Sequence, residues 1–118
     1  MPAPMKDYIT FADFEKLDIR LGTIVKVEDI EESDTLLKFT VDFGEEEPKT
    51  ILCNMKGERE DDFAIEGVQT LFVVNLKPRK MFGYMSEGML LDIGYQDGLR
   101  PSALAIPEFK IPNGSRAG

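Results

Sequence analysis

Between Gly67 and Ser86 the only charged side chains are Lys77, Arg79 and Lys80, all basic, in a chain of 118 residues whose formal net charge is −8. Guanidinium and ammonium groups both bond phosphate oxygens, Arg through a planar fork and Lys as a compact point charge. An acid-free basic segment can therefore hold a polyanion locally although the net charge repels it. Asn75 and Ser86 add neutral hydrogen-bonding groups suited to bases or ribose, and Pro78 stiffens the backbone between the cations. Phe82 and Tyr84 lie on either side of Gly83 and can stack on unpaired bases, while Met81 and Met85 offer adaptable apolar surface. The chemistry this set can perform is contact with a phosphate backbone. A second reading stands beside it: Met81, Phe82, Tyr84 and Met85 plug the end of a barrel and the cations balance nearby acids.

Covalent chemistry is poorly served. The chain has no histidine, which removes imidazole-based zinc sites and the common Ser-His and Cys-His nucleophile systems, and its single cysteine cannot complete a metal site alone. Carboxylates are abundant, but Glu28-Asp29 with Glu31-Glu32, Glu45 to Glu47 and Glu58 to Asp62 lie in polar runs without the apolar neighbours that keep a carboxyl protonated for acid catalysis. Those runs read as solvated loops, and the first and last lack the spacing of a calcium loop. No phosphate-loop or dinucleotide glycine pattern occurs. Neither catalytic residues nor a metal nor a cofactor is expected. A pI near 4.5 also argues against a general nucleic-acid coat, so any nucleic-acid contact must be local and selective.

The cations need a scaffold. A chain of this length is most simply one domain, and no apolar run approaches the roughly 20 residues that span a bilayer. The start, MPAPMKDY, lacks the apolar core of a secretory signal, and a lone Cys53 in the run Ile51-Leu52-Cys53 reads as a buried thiol, so a reducing cytoplasm is the expected location. Residues 1–9 read as a flexible lead-in, 10–115 as the domain and 116–118 as a tail.

Thr10 followed by Asp13 resembles a helix start, with Phe11, Phe14 and Leu17 on one face of a short helix over Phe11 to Leu17. Ile19, Leu21, Thr23, Val25 and Val27 alternate with their neighbours, as do Leu37, Phe39, Val41 and Phe43, which predicts two half-buried strands. Ser33-Asp34 between them suits a turn. Thr50 to Met55 predicts a third strand, Asp61 to Ile65 a helical turn, Leu71 to Val74 a central strand and Met89 to Ile93 a fifth, with the basic segment as the loop before it. Ala103 to Ile106 can add a short strand, and Pro101, Pro107 and Pro112 oppose helices in the tail. Five short strands with one helical turn after the third predict an all-β, five-stranded OB-fold barrel with a short N-terminal helix and an irregular C-terminal extension.

Several segments in this order carry a family resemblance: Phe14-Glu15-Lys16-Leu17-Asp18-Ile19-Arg20-Leu21-Gly22, Ser33-Asp34-Thr35-Leu36-Leu37, Asp42-Phe43-Gly44, Asn75-Leu76-Lys77-Pro78-Arg79-Lys80, Ser86-Glu87-Gly88-Met89 and Pro112-Asn113-Gly114. With them the chain resembles the stand-alone tRNA-binding domains, which also occur as the C-terminal appendix of bacterial methionyl-tRNA synthetases and in endothelial-monocyte-activating cytokines. Within that family it looks most like the CsaA-type proteins. The resemblance implies a dimeric OB-fold that binds tRNA by shape, with contacts mapping onto Asn75, Lys77, Arg79 and Lys80 and onto Ser86, Glu87 and Met89 of the following strand. Glu87 and Met89 are open to a second role in supporting the barrel. Asp18, Arg20 and Gly22 are expected to form an ion pair and a strand glycine, and Ser33 with Asp34 a turn lock.

The resemblance also implies alternatives to tRNA alone. CsaA-type proteins are associated with binding unfolded export precursors, for which Met81, Phe82, Tyr84, Met85 and Met89 would form an apolar groove. A third expectation is an adaptor that docks on an aminoacyl-tRNA synthetase. A homodimer would place two weak basic patches on one rigid body and raise their effective concentration.

Overall fold

The computed structural model describes residues 2–118; Met1, first residue of the expected lead-in, lies outside the described residues. Among the described residues nine strands follow one α-helix: α1 (Phe11–Glu15), β1 (Ile19–Asp29), β2 (Leu37–Asp42), β3 (Lys49–Cys53), β4 (Gln69–Val73), β5 (Arg79–Met81), β6 (Tyr84–Ser86), β7 (Met89–Leu90), β8 (Asp92–Ile93) and β9 (Ala103–Leu104). The main sheet is antiparallel throughout in the order β3-β2-β1-β4-β7. It curls until β3 meets the segment after β6, where the Glu87 N–H donates to the Thr50 carbonyl at 2.8 Å. The result is a nearly closed five-stranded barrel of the OB type.

The barrel core collects Ile24, Val27, Phe39, Val41, Phe43, Ile51 and Phe72, with Phe43 and Phe72 edge to face at 5.4 Å. β2 alternates as its sequence predicts, Leu37, Phe39 and Val41 inward. In β1 the alternation changes phase. A bulge between Ile24 and Lys26 turns Ile24 and Val27 into the core and leaves Val25 exposed, reversing the expected assignment of both Ile24 and Val25. Gly22 faces inward where a Cβ would stand 2.6 Å from Val41 and 2.8 Å from the Phe43 ring. The absence of a side chain there lets the two strands close up.

A 3₁₀ turn over Asp62–Ile65, capped by the Asp61 carboxylate, drops Ile65 into one end of the barrel. Cys53 is buried, and burial pushes its thiol well above the ordinary range, so it is an inert part of the core. α1 begins at the Thr10 cap as expected but ends at Glu15, short of Leu17, and Phe11, Phe14 and Leu17 stay exposed.

The C-terminal extension acts as a strap. The first half of β1 pairs with β4 on one edge, while β2 reaches only from Thr23 onward. The vacant edge is taken by residues 114–117: Gly114 N–H donates to the Leu21 carbonyl at 2.7 Å, Leu21 N–H to Ser115 at 2.9 Å and Ala117 N–H to Ile19 at 2.8 Å. Gln69 and Thr23 fasten the strap through Asn113 and the Ile111 carbonyl. Backbone groups of an edge strand are thereby satisfied without a further strand.

Candidate nucleic-acid interface

The basic segment, expected as a loop, is a β-hairpin. β5 and β6 pair Arg79 with Ser86, Lys80 with Met85 and Met81 with Tyr84. Paired residues share a face and successive residues alternate, so Arg79, Met81, Tyr84 and Ser86 occupy one face and Lys80 with Met85 the other. Met81 packs on Ile30, Leu36 and Leu52 and Ser86 is buried, which identifies the first face as the one against the barrel. The expected cations are therefore split: Arg79 lies at the rim of the inner face, Lys80 points outward, and Lys77 sits in the exposed stretch before the hairpin.

Their clustering sets them apart: three cations fall within four residues, with no acid between Gly67 and Ser86. Lys16, Arg20, Lys26, Lys38, Lys49, Lys56 and Arg100 each reach a carboxylate at 2.8 to 3.7 Å. Among the described residues Lys77, Arg79 and Lys80 have no such partner and are exposed. Lys6, Arg59, Lys110 and Arg116 also lack a carboxylate partner among the described residues, but they are scattered singly along the chain, whereas Lys77, Arg79 and Lys80 form one run.

Other predicted site residues hold the hairpin in place. Asn75 is engaged at both ends of its amide: Oδ1 accepts from the Asp18 N–H at 2.9 Å and Nδ2 donates to the Lys16 carbonyl at 2.6 Å. Ser86 Oγ accepts from the Leu52 N–H at 3.0 Å and donates to the Gly88 carbonyl at 3.1 Å. The Glu87 carboxylate accepts from the Thr50 N–H at 3.0 Å. Side chains of Ser86 and Glu87 thus replace the ladder bonds that would close the barrel on β3. Met89 is half exposed on β7, and Gly88 passes so close to Val73 that a Cβ would lie 2.8 Å from its carbonyl oxygen. Ser86→Ala leaves the buried Leu52 N–H without an acceptor, and chemical denaturation is expected to show a loss of about 1–3 kcal/mol. Unchanged stability would mean that water or another group satisfies that amide.

Two lysines carry positions that sequence reading did not single out. The Lys38 ammonium stands 4.5 Å above the Tyr84 ring, covering one face of an aromatic that is 40% exposed. Lys56 donates to the Ile30 and Ser33 carbonyls at 2.7 and 2.6 Å and pairs with Asp29 at 2.8 Å. With the Ser33 hydroxyl accepting from Thr35 and Leu36, as its turn role predicts, Lys56 fixes the loop between β1 and β2. That loop supplies Ile30 and Leu36, the surface on which Met81 rests. Both lysines act across long sequence separations, which no local pattern encodes.

Asp18 and Arg20 form the expected ion pair, at 2.8 and 3.1 Å. The hydrogen bonds from Arg20 hold the Asp18 carboxyl below its usual range, against a smaller opposing effect of burial. Among the described residues no group of three or more His, Cys, Asp or Glu is placed to hold a metal. No helix among them is long and apolar enough to cross a membrane.

A barrel of this type with an unpaired basic hairpin at its rim belongs to a recognisable class of binding domain. Residues 19–116 match the family described as "Putative tRNA binding domain", and the chain belongs to that family. Among curated relatives, methionine–tRNA ligase of Methanococcoides burtonii is 51% identical over 86 residues, covering 73% of this chain and 12% of the relative. The corresponding enzyme of Lactococcus lactis is 37% identical over 111 residues, covering 93% of this chain and 16% of the relative. The chain therefore spans only 12–16% of the length of these two enzymes. Whole solved chains match it more evenly. The MetRS related protein from Pyrococcus horikoshii has a TM-score of 0.83 at 31% identity, covering 96% of this chain and 100% of that one. Chaperone CsaA from Bacillus anthracis has a TM-score of 0.77 at 27% identity, covering 95% and 100%.

Proposed function

We propose that this chain is a non-catalytic module that binds structured RNA, tRNA above all, through the edge carrying Lys77, Arg79 and Lys80. The observation that carries the reading is the clustering of three exposed, unpaired cations within four residues of an acid-free stretch, in a chain whose net charge is −8. Phosphates attract exposed, unneutralised cations, and contacts of this kind position an RNA by its backbone shape. Asn75, Ser86 and Glu87 serve the site by holding the hairpin at a set angle to the barrel, since their polar groups are committed within the fold. Met89 adds apolar surface beside it. Membership of the tRNA-binding domain family supports tRNA as the partner, and its ligase relatives support association with a synthetase.

The module works as a homodimer in this reading. Exposed Ile93 and Ile106 line an apolar groove of about 560 Å³ together with Leu21, Leu71, Leu104 and Ile111. A second copy covering that face would bury surface that a soluble monomer has no reason to display. A second function is supported by the similarity to chaperone CsaA and by exposed Phe82, Met85 and Met89: capture of an unfolded precursor peptide. Competition between labelled bulk tRNA and a labelled unfolded peptide separates the two. Displacement of tRNA by unlabelled tRNA at low micromolar concentration, with peptide inert, is expected; peptide capture without tRNA binding would transfer the function to the chaperone reading.

A further inference from the structure

The turn joining β5 to β6 places Phe82 at φ +50° and Gly83 at φ +83°. Two successive left-handed residues between the paired positions Met81 and Tyr84 make a two-residue type I′ connection. Asn, Asp and Gly suit the first position of such a turn; a bulky side chain there crowds its Cβ against the following carbonyl. Phe82 is the only non-glycine residue with positive φ among the described residues. The chain thus keeps an unfavourable residue where a better one is readily available.

Packing within the fold does not compensate for that strain. Phe82 is 54% exposed, while the cluster beneath the hairpin takes in its neighbour Met81 instead. Its ring belongs to neither aromatic pair of the described residues, and a Cβ built on Gly83 would meet nothing within 4 Å. The tip of the hairpin stands clear of the barrel. Strain held at an exposed position points to a partner outside the fold.

We propose that Phe82 is a stacking platform for an unpaired base, set at the end of a stiff hairpin whose cations take the flanking phosphates. This rests on the RNA-binding reading above and names what the RNA must offer: a base free of its helix at the point of contact. Lys80 lies two residues before the ring on the outward face of β5, opposite Met85. A flat ring with a cation two residues away fits a nucleotide, which has apolar base faces and an anionic phosphate. A peptide would instead want a concave apolar groove, and Phe82 is absent from the lining of three well-formed cavities among the described residues.

The chain contains no tryptophan, so Phe82→Trp installs a single indole whose emission reports contact at the tip. Its fluorescence is expected to be quenched by tRNA but not by a fully paired RNA duplex, with affinity for tRNA retained. Phe82→Asn should give the opposite signs in two readouts: a melting temperature a few degrees higher, because Asn suits the turn, and tRNA affinity lower by about tenfold, the loss expected for one base stack. Its salt slope should match the wild type, since no phosphate contact is removed. An Asn variant that gains stability and keeps its affinity would overturn the proposal, as would one that loses stability, which would mean the ring is packed. Quenching by an unfolded peptide and not by tRNA would also overturn it. Wild-type protein that fails to bind tRNA at all would instead remove the reading on which the proposal rests.

Discussion

Lys77→Gln, Arg79→Gln and Lys80→Gln combined are expected to lower tRNA affinity by about a hundredfold near 0.1 M salt, because each removed cation abolishes a charge-assisted bond to phosphate. The dependence on salt should flatten together with the affinity. Each neutralised phosphate contributes about 0.7 to 0.9 to the slope of log K against log salt, so three lost contacts predict a change of about 2 to 3. Stability should stay within about 0.5 kcal/mol, since the three side chains are exposed and have no ion-pair partner to lose. The pairing of a large affinity effect with an unmoved melting curve is the informative part. Affinity that falls while the salt slope persists would place the phosphate contacts elsewhere on the barrel.

Gly114→Ala is expected to be strongly destabilising, costing about 2–4 kcal/mol of stability as measured by urea unfolding. Two effects add at that position. Its φ of +89° lies in the left-handed region, and a Cβ there would press on the carbonyl oxygen of Phe43. Backbone cannot rotate away as a flexible side chain can, so the strap must lift from β1. Lifting it unpairs Leu21 on its free edge and loosens the fastening of Thr23 and Gln69 to Asn113. Tolerance of alanine would mean that the strap contributes little and that β1 is stable with its edge open.

Those two substitutions also mark how far amino-acid patterns reach. The barrel could be read because β2 alternates without interruption and Leu71 to Val74 are all apolar, signals carried by consecutive residues. The phase change in β1 could not, since a bulge is set by how the strand coils against β2 and leaves no trace in hydropathy. The segment between Val74 and Met89 reads as a loop, because its basic and turn residues break the apolar pattern on either side. Only Met81 and Ser86 of this hairpin are drawn inward, too few for an alternating pattern, and Phe82-Gly83 lacks the Asn-Gly signature of a type I′ turn. The ion pair of Asp18 with Arg20 was open to local reading at a spacing of two along a strand.

The candidate site divides along the same line. Its cations stood out by sequence because an acid-free window in an acidic chain is a local property. What orients them is nonlocal: Asn75 reaches across to Lys16 and Asp18, Ser86 to Leu52, and Lys56 to the loop under Met81. Residue type suggested hydrogen bonding for Asn75 and Ser86, but their bonds run to the protein's own backbone. In the proposed reading the exposed Lys77, Arg79 and Lys80 would meet the ligand, while the committed polar groups of Asn75, Ser86 and Glu87 tie the segment to the barrel.

The most direct measurement is a titration of the wild-type chain with bulk tRNA across a series of salt concentrations. Saturable binding that weakens steeply with salt, with a log–log slope of about −2 or steeper, is the predicted result, because three phosphate contacts demand it. Absence of binding at low salt, or affinity indifferent to salt, would contradict phosphate recognition by the basic hairpin.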